Sequence, residues 1–516
     1  MVCAVLLLAL LLRLWHLSAL TDNYDEGVYW SSLRAMHAGN GLFTPVFSSQ
    51  PPFFLLSLYP LVALFGPTLI AARLGVVALS LLGILGMYLL ARRLAGPWAG
   101  AGAALLLASD YLYLMQSQTI QAEAPAVALM IVAVAAAAYA DRYPWQAAFI
   151  AGMATALAML EKLFAVVALV PILALFVRYL IAFERALPSE QEPGQQVGAL
   201  ARLRLHRQTM LRAALLAGAY LSGLALAGML VLLPYLNQLQ AAYQQVIAFH
   251  LAADQSYAST LSQNPQTLLG IITEYPLAIL ALLGIMLGLV RRRWHILTAA
   301  AWTLASLVIL LRQSPLFTHH VALLVPALAL SAAIGLTPAA SQRPTGVTTP
   351  HARLGRSEPA WKIHRSRFVL PGFAALLLVG MLAFNLWNDA TYPLGREVAE
   401  MNPPPVNAAQ ISQVASDLQR LTTPRQQIIT DDQYIAALAN RDVPPELVDT
   451  SDVRITTGYL TTGQVIAIAE QPQVGAVLFY TGRLDQLPGL RAWVAQHFRL
   501  ARSYGGGQDL YLRAAP

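Results

Sequence analysis

The segment "LTDNYDEGVYW", residues 20–30, sets Asp22, Asn23, Asp25 and Glu26 directly after the first long apolar run. Acids at such a point either cap and charge the start of a helix or do proton-transfer work. A second carboxylate, Glu123 in "QSQTIQAEAP", opens another apolar run just before Pro125, where an unpaired charge is expensive. Lys162 and Lys362 are the only lysines among 33 basic residues, and Lys162 sits in the tight turn "AMLEKLF". It offers a compact cation suited to phosphate, or pairs with Glu161, or snorkels. Arg73, His250 in "VIAFHLAAD", and His319 and His320 in "SPLFTHHVALLVP" stand at comparable places. Two carboxylate sources, two or three cations and several imidazoles fit a reaction on an anionic, lipid-linked substrate.

The elements that position these groups are mostly hydrocarbon. Of 516 residues, 57% are hydrophobic and 11% charged, against about 25% charged in soluble domains. The chain reads as a polytopic membrane protein. A single cysteine, Cys3, excludes a disulfide framework and a thiolate zinc site. The net charge of +7 comes from short basic clusters between apolar runs, the pattern that orients a membrane protein, so no nucleic-acid partner is expected.

A span needs about 20 apolar residues. Candidate runs lie near 1–20, 68–91, 98–114, 123–140, 145–160, 163–180, 211–233, 269–290, 294–311, 320–337 and 368–387, which predicts about eleven transmembrane helices. With a cytoplasmic amino terminus, Arg92, Arg93, Arg142, Arg202, Arg204, Arg207, Arg291, Arg292, Arg293, Arg343, Arg353, Lys362, Arg365 and Arg367 all fall inside. Residues 53–66, short and holding Pro60, read as a re-entrant or interfacial piece. The first run, interrupted by Arg13 and His16, reads as a retained anchor rather than a signal peptide. The candidate chemistry then collects on the outer, extracytoplasmic face of the plasma membrane, while 181–210 and 338–367 form polar inner connectors.

After residue 391 the pattern changes to short β-prone runs alternating with helical ones. This predicts two domains: a transmembrane domain, 1–391, and a small extracytoplasmic α/β domain, 392–516. The acids Asp431, Asp432, Asp449 and Asp452 stand at strand ends, where they either cap helices and turns or line a ligand site. The tail binds the acceptor, covers the site or meets a partner, and its residues do not choose among these.

The chain resembles the membrane glycosyltransferases of the C superfold (GT-C), which use polyprenyl-phosphate sugars. The likeness is to the protein O-mannosyltransferases and the lipid A aminoarabinose transferases. It rests on "DNYDEGVYW", "SQPPFFLLSLYPLVALFG", "LIAARLGVVALSLLGILGMYLLARRL", "IQAEAPAVALMIVAVAAAAY", "GMATALAMLEKL" and "FTHHVALLVPALALSAAIGL", in that order over most of residues 1–390. The resemblance implies an all-α polytopic domain and transfer of a sugar, with inversion, from a polyprenyl-phosphate-linked donor to a glycan, lipid or protein acceptor. It implies catalytic carboxylates at Asp25, Glu26 and Glu123 and a phosphate contact at Lys162, to which Arg73 near the outer end of the next span adds a second cation for the phosphate. Gln50, His250 and His320 are implied in positioning donor or acceptor, and a divalent metal ion in a set drawn from Glu26, Glu123 and His250. Gln50 stands before Pro51 and Pro52 where the aminoarabinose branch has a carboxylate, which weakens metal binding of that branch's kind.

The chemistry so implied is economical, because a departing phosphate is a stable anion. Placement and positive charge are what the protein must supply. A transporter or flippase would share the helical class, but internal repeats around the bilayer midplane are its usual mark and none is visible. An assembly factor that kept the scaffold without the chemistry is the third reading.

Overall fold

The computed structural model describes residues 1–15, 17–21, 23–186, 199–273, 275–337 and 405–513. The eleventh apolar run, the 391/392 boundary, Asp22, His16, and the basic residues expected in 338–367 lie outside them. Apolar periodicity and Pro-initiated starts give α1 (Val2–Leu14), α2 (Tyr24–His37), α3 (Pro52–Phe65), α4 (Leu69–Ala95), α5 (Pro97–Ser109), α6 (Tyr111–Gln118), α7 (Glu123–Ala137) and α8 (Pro144–Glu161). There follow α9 (Leu169–Ala186), α10 (Ala199–Leu232), α11 (Leu239–Tyr243), α12 (Phe249–Ser256), α13 (Asn264–Thr273), α14 (Pro276–Val290), α15 (Ile296–Arg312) and α16 (Val325–Leu336).

The runs expected as spans before residue 338 are largely helical where described. Among the described residues four helices are long and apolar enough to cross a membrane alone: Leu69–Ala95, Leu163–Arg185, His206–Ser256 and Thr318–Leu336. The number rises to six if two bent pairs count, α6 with α7 at 116° and Ala258–Thr273 with α14 at 84°. Others, such as α1 and α5, are 13 residues long. Hydropathy measures an apolar run, and the run here continues past the ends of the helices it contains. The helix α3, 14 residues around Pro60, is short as expected for a piece that does not cross.

Small residues allow the helices to close on one another. At the α8–α10 crossing, a Cβ on Gly152 would meet the Tyr220 carbonyl oxygen at 2.0 Å, and one on Gly223 would meet that of Phe149 at 2.1 Å. Such packing replaces the hydrophobic driving force that lipid does not provide. Buried polar links add directionality. Arg13, fully buried, donates to Ser80 Oγ (2.8 Å) and the Ala108 carbonyl (3.1 Å), tying α1 to α4 and α5.

The strongest link joins α2 to α4. Arg73 and Glu26, 1% and 0% exposed, meet in a bidentate pair at 2.8 and 2.7 Å. Arg73 also donates to the carbonyls of Leu17 (2.6 Å) and Ala19 (2.8 Å), and Glu26 accepts from the Ile120 backbone N–H (2.9 Å). One pair therefore fixes the α1–α2 and α6–α7 links as well.

The C-terminal region is α/β, as expected. Strands β1 (Gln427–Thr430), β2 (Val474–Phe479), β3 (Phe498–Ser503) and β4 (Asp509–Arg513) form a sheet of order β1-β2-β4-β3, parallel for β1–β2 and antiparallel elsewhere. Helices cover both faces, so β2 is buried throughout. Asp431 accepts the N–H groups of Tyr480, Thr481 and Leu484 at 2.7–3.1 Å, and Asp432 caps Gln433–Leu438 through Ile435 (3.1 Å). These two acids hold turns and a helix start.

This region packs on α2. Trp30 meets Tyr434 edge-on at 5.6 Å, Ser31 donates to the Gln433 carbonyl (3.3 Å), and Arg34 pairs with Asp442 at 2.8 Å. Gly27 is required at the contact, because a Cβ there would lie 2.6 Å from the Tyr434 backbone nitrogen.

Breaking a buried pair by removing one partner typically costs about 3–5 kcal/mol, whereas replacing both is often close to neutral. Arg73→Met is expected to lower the thermal midpoint in detergent or nanodiscs by an amount of that order. Adding Glu26→Gln to it should recover much of the loss.

Candidate active site

The acidic loop becomes a site because α2 begins inside it. Asn23 caps α2 by accepting the Glu26 N–H at 3.3 Å, which sets Asp25 and Glu26 in the first turn. Adjacent helix residues point about 100° apart. Glu26 turns inward to Arg73, and Asp25 turns toward a cavity of about 460 Å³.

That cavity gathers Asp25, Gln50, Lys162, His250 and His320 of the expected residues, with His319 added. Lys162 is held in extended backbone between α8 and the 3-10 turn Leu163–Ala168, so its side chain leaves the helix surface. It pairs with Glu123, which is 2% exposed at the start of α7. His319 Nε2 lies 3.6 Å from the same carboxylate. The His319 and His320 rings meet edge-on at 4.5 Å, and Phe317 stacks on His319 at 5.4 Å. His250 is oriented by a 2.7 Å contact from Nδ1 to the Val246 carbonyl oxygen.

Two expectations need correction. Arg73 and Glu26 are not among the residues lining this cavity, because each is the other's buried partner. The metal set expected from Glu26, Glu123 and His250 is displaced as well. Among the described residues, Glu123, His319 and His320 bring one ligand atom each within 4.8 Å of one another. A carboxylate with two neutral imidazoles is a donor set suited to zinc and similar divalent ions.

The C-terminal region supplies the opposite wall, with Asp449, Ser451, Asp452, Val453 and Arg483. Tyr24 donates to Asp449 (3.3 Å) and accepts from the Thr450 N–H (2.8 Å), while the Arg483 guanidinium lies 3.9 Å over the Tyr24 ring. Of the possible roles for the tail, covering the cavity is what this packing does. Tyr24 lies inside the quoted acidic motif and Asp449 was noted at a strand end, but their meeting spans more than 400 residues and leaves no local signal.

No hydrogen bond or ion pair within the described residues engages the Asp25 carboxylate. Its pKa is raised above the ordinary value, first by burial, with Glu123 and Asp449 adding to the rise and His319 and Lys162 opposing it.

The helical bundle with an α/β region over the cavity is an arrangement shared with solved membrane proteins. Residues 49–205 match the family model of dolichyl-phosphate-mannose-protein mannosyltransferase. The fold matches ArnT from Cupriavidus metallidurans bound to undecaprenyl phosphate, with TM-score 0.58 and 16% identity over 100% of this chain and 97% of that one. The apo form of that protein matches at 0.54 and 16%, over 96% and 94%. The oligosaccharyltransferase of Archaeoglobus fulgidus in complex with Zn and sulfate matches at 0.50 and 13%, over 99% and 73%. No curated protein matches the chain. The matched family segment covers residues 49–205, and the likeness to the solved structures shows a shared fold over nearly the whole chain.

A base with a raised pKa is protonated, and silent, over a wider acid range than a free aspartate of pKa about 3.9. Where Asp25 is that base, the acid limb of kcat/KM should lie above the ordinary carboxylate range. Asp449→Asn removes one of the like charges that raise it, so the limb should move to lower pH in a pH–rate profile of sugar transfer.

Proposed function

We propose that this protein transfers a sugar, with inversion, from a polyprenyl-phosphate donor to an acceptor hydroxyl on the extracytoplasmic face of the plasma membrane. The observation that carries the reading is the unpaired Asp25 carboxylate sharing one cavity with Lys162, His319 and His320. The solved relative bound to undecaprenyl phosphate supports a polyprenyl phosphate as carrier.

In the proposed step Asp25 accepts the proton of the acceptor hydroxyl as its oxygen forms a bond to the anomeric carbon. The bond from that carbon to the phosphate oxygen breaks on the opposite face, and its electron pair leaves with the phosphate. Lys162 holds the phosphate, and Glu123 beneath it keeps the ammonium in place. Arg73 is not assigned to the phosphate, because Glu26 and two backbone carbonyls take its donors. Gln50, His250 and His320 position donor or acceptor. The acceptor is a glycan, lipid or protein hydroxyl, and the membrane supplies the donor laterally.

Glu123, His319 and His320 would hold a divalent ion, and the relative solved in complex with Zn and sulfate supports a divalent ion as cofactor. Such an ion would supply positive charge beside the departing phosphate. The charges at the ends of the helices support this orientation. Glu123, Lys162 and His320 gather where α7 and the Thr318–Leu336 helix begin, whereas Arg93 with Asp141, and Arg291 with the Gly335 carbonyl, gather at the other end. The basic end reads as cytoplasmic.

Asp25→Asn is expected to lower kcat for transfer from decaprenyl-phosphate sugars by about 10²–10⁴-fold while donor binding is kept, the usual contribution of a positioned base. A folded Asp25→Asn protein with full turnover would remove Asp25 from the role. Chelation should lower transfer and the metal content of the purified chain together. His319→Ala should leave a protein whose metal content no longer recovers on adding zinc.

A further inference from the structure

A second cavity of about 270 Å³ lies beside the first and shares Asn23, Phe317 and His319 with it. The rest of its wall is Thr21, Leu112, Met115, Gln116, Thr119, Gln121 and Thr318, from the start of the first loop, α6, the α6–α7 link and the start of the Thr318–Leu336 helix. The mechanism above uses none of these seven.

Two of the wall residues are out of keeping with a packed interior. Gln116 and Gln121 are 4% and 1% exposed, and the Oε1 of each is buried without a hydrogen-bond partner among the described residues. The neighbouring glutamine on the same helix behaves otherwise, since Gln118 donates to the carbonyls of Leu12 (3.0 Å) and Trp15 (2.6 Å). Buried carboxamide oxygens left unpaired disfavour the fold, and two such glutamines lining one cavity mark a place for polar hydrogen-bonding groups once the amides turn toward it.

The chemistry of the wall narrows the occupant. Carboxamides both donate and accept, as sugar hydroxyls do, so they match in either amide orientation. Leu112, Met115 and Phe317 offer apolar surface to the C–H face of a ring. A polyprenyl chain would leave the amides unpaired, and the pocket has room for one ring rather than an oligosaccharide. His319 stands at the junction with the main cavity, next to the Glu123–Lys162 pair.

We propose that this side pocket binds the transferred sugar ring, with Gln116 and Gln121 gripping its hydroxyls while the anomeric carbon rests at the junction beside His319. The proposal builds on the glycosyl-transfer reading above. It makes the two glutamines positioning residues that select the donor sugar, distinct from the groups that hold phosphate or move the proton.

The test uses the full chain in nanodiscs and separates the sugar from its carrier. Binding is measured for decaprenyl phosphate alone and for decaprenyl phosphate bearing mannose, glucose or 4-aminoarabinose, the tightest of the three being carried forward with its deoxy analogues. Gln116→Leu and Gln121→Leu should each weaken the sugar-bearing donor by about tenfold or more and leave decaprenyl phosphate within about twofold, which also shows that the variants fold. Each variant should lose the preference for the parent donor over one particular deoxy analogue. The proposal is overturned by equal weakening of donor and bare phosphate, by an unchanged donor affinity, or by a wild-type chain that binds every donor no better than decaprenyl phosphate. A wild-type chain that binds decaprenyl phosphate in none of its forms would instead remove the glycosyl-transfer reading itself.

Discussion

The ion pair between Glu26 and Arg73 is the constraint on which the rest of the site depends. Buried on both sides, it takes its remaining hydrogen bonds from the α1–α2 link and from the Ile120 backbone. A pair so placed is weak evidence of net stability, since desolvation opposes it. What it provides is specification. With Glu26 held inward, the helix geometry leaves the preceding residue, Asp25, turned to the cavity, and the same anchor presents Tyr24 and Gly27 to the α/β region. Two adjacent acids thus do different work, one as a bolt and the other as a free carboxylate.

The second pair, Glu123 with Lys162, arranges charge rather than backbone. It places a lysine at the cavity wall while cancelling most of the carboxylate that would otherwise repel a phosphate. Asp25 sits within the field of both, and its raised pKa reflects burial more than any neighbour. Such an arrangement suits a reaction whose leaving group is already stable. In the proposed reaction little acid catalysis is needed on the leaving side, which leaves the Asp25 carboxylate for the acceptor.

Much of this was legible in the sequence, for identifiable reasons. Asp25, Glu123 and Lys162 announce themselves because charge is rare at the ends of apolar runs, and rarity is a local property. The α/β character of the tail is equally local, carried by strand and helix runs. Glu26 and Arg73 were misplaced because a carboxylate and a guanidinium look alike from sequence whether they meet a substrate or each other. His319 gains its place only from the fold, which sets it against a carboxylate nearly 200 residues away. Where the apolar runs are broken by bends, as between α6 and α7, the number of crossings is not readable from hydropathy alone.

The position of the α/β region completes the physical case. For the proposed glycosyl transfer, water admitted beside the anomeric carbon would compete with the acceptor hydroxyl, so covering the cavity is of use. Here the cover is made by Tyr24 against Asp449 and Thr450, and by the Arg454 guanidinium packed 3.9 Å over Phe47. Those contacts also bring Asp449 and Arg483 to the wall opposite Lys162. The same surface therefore covers the cavity and brings charged groups to its wall, so the C-terminal region helps to build the site.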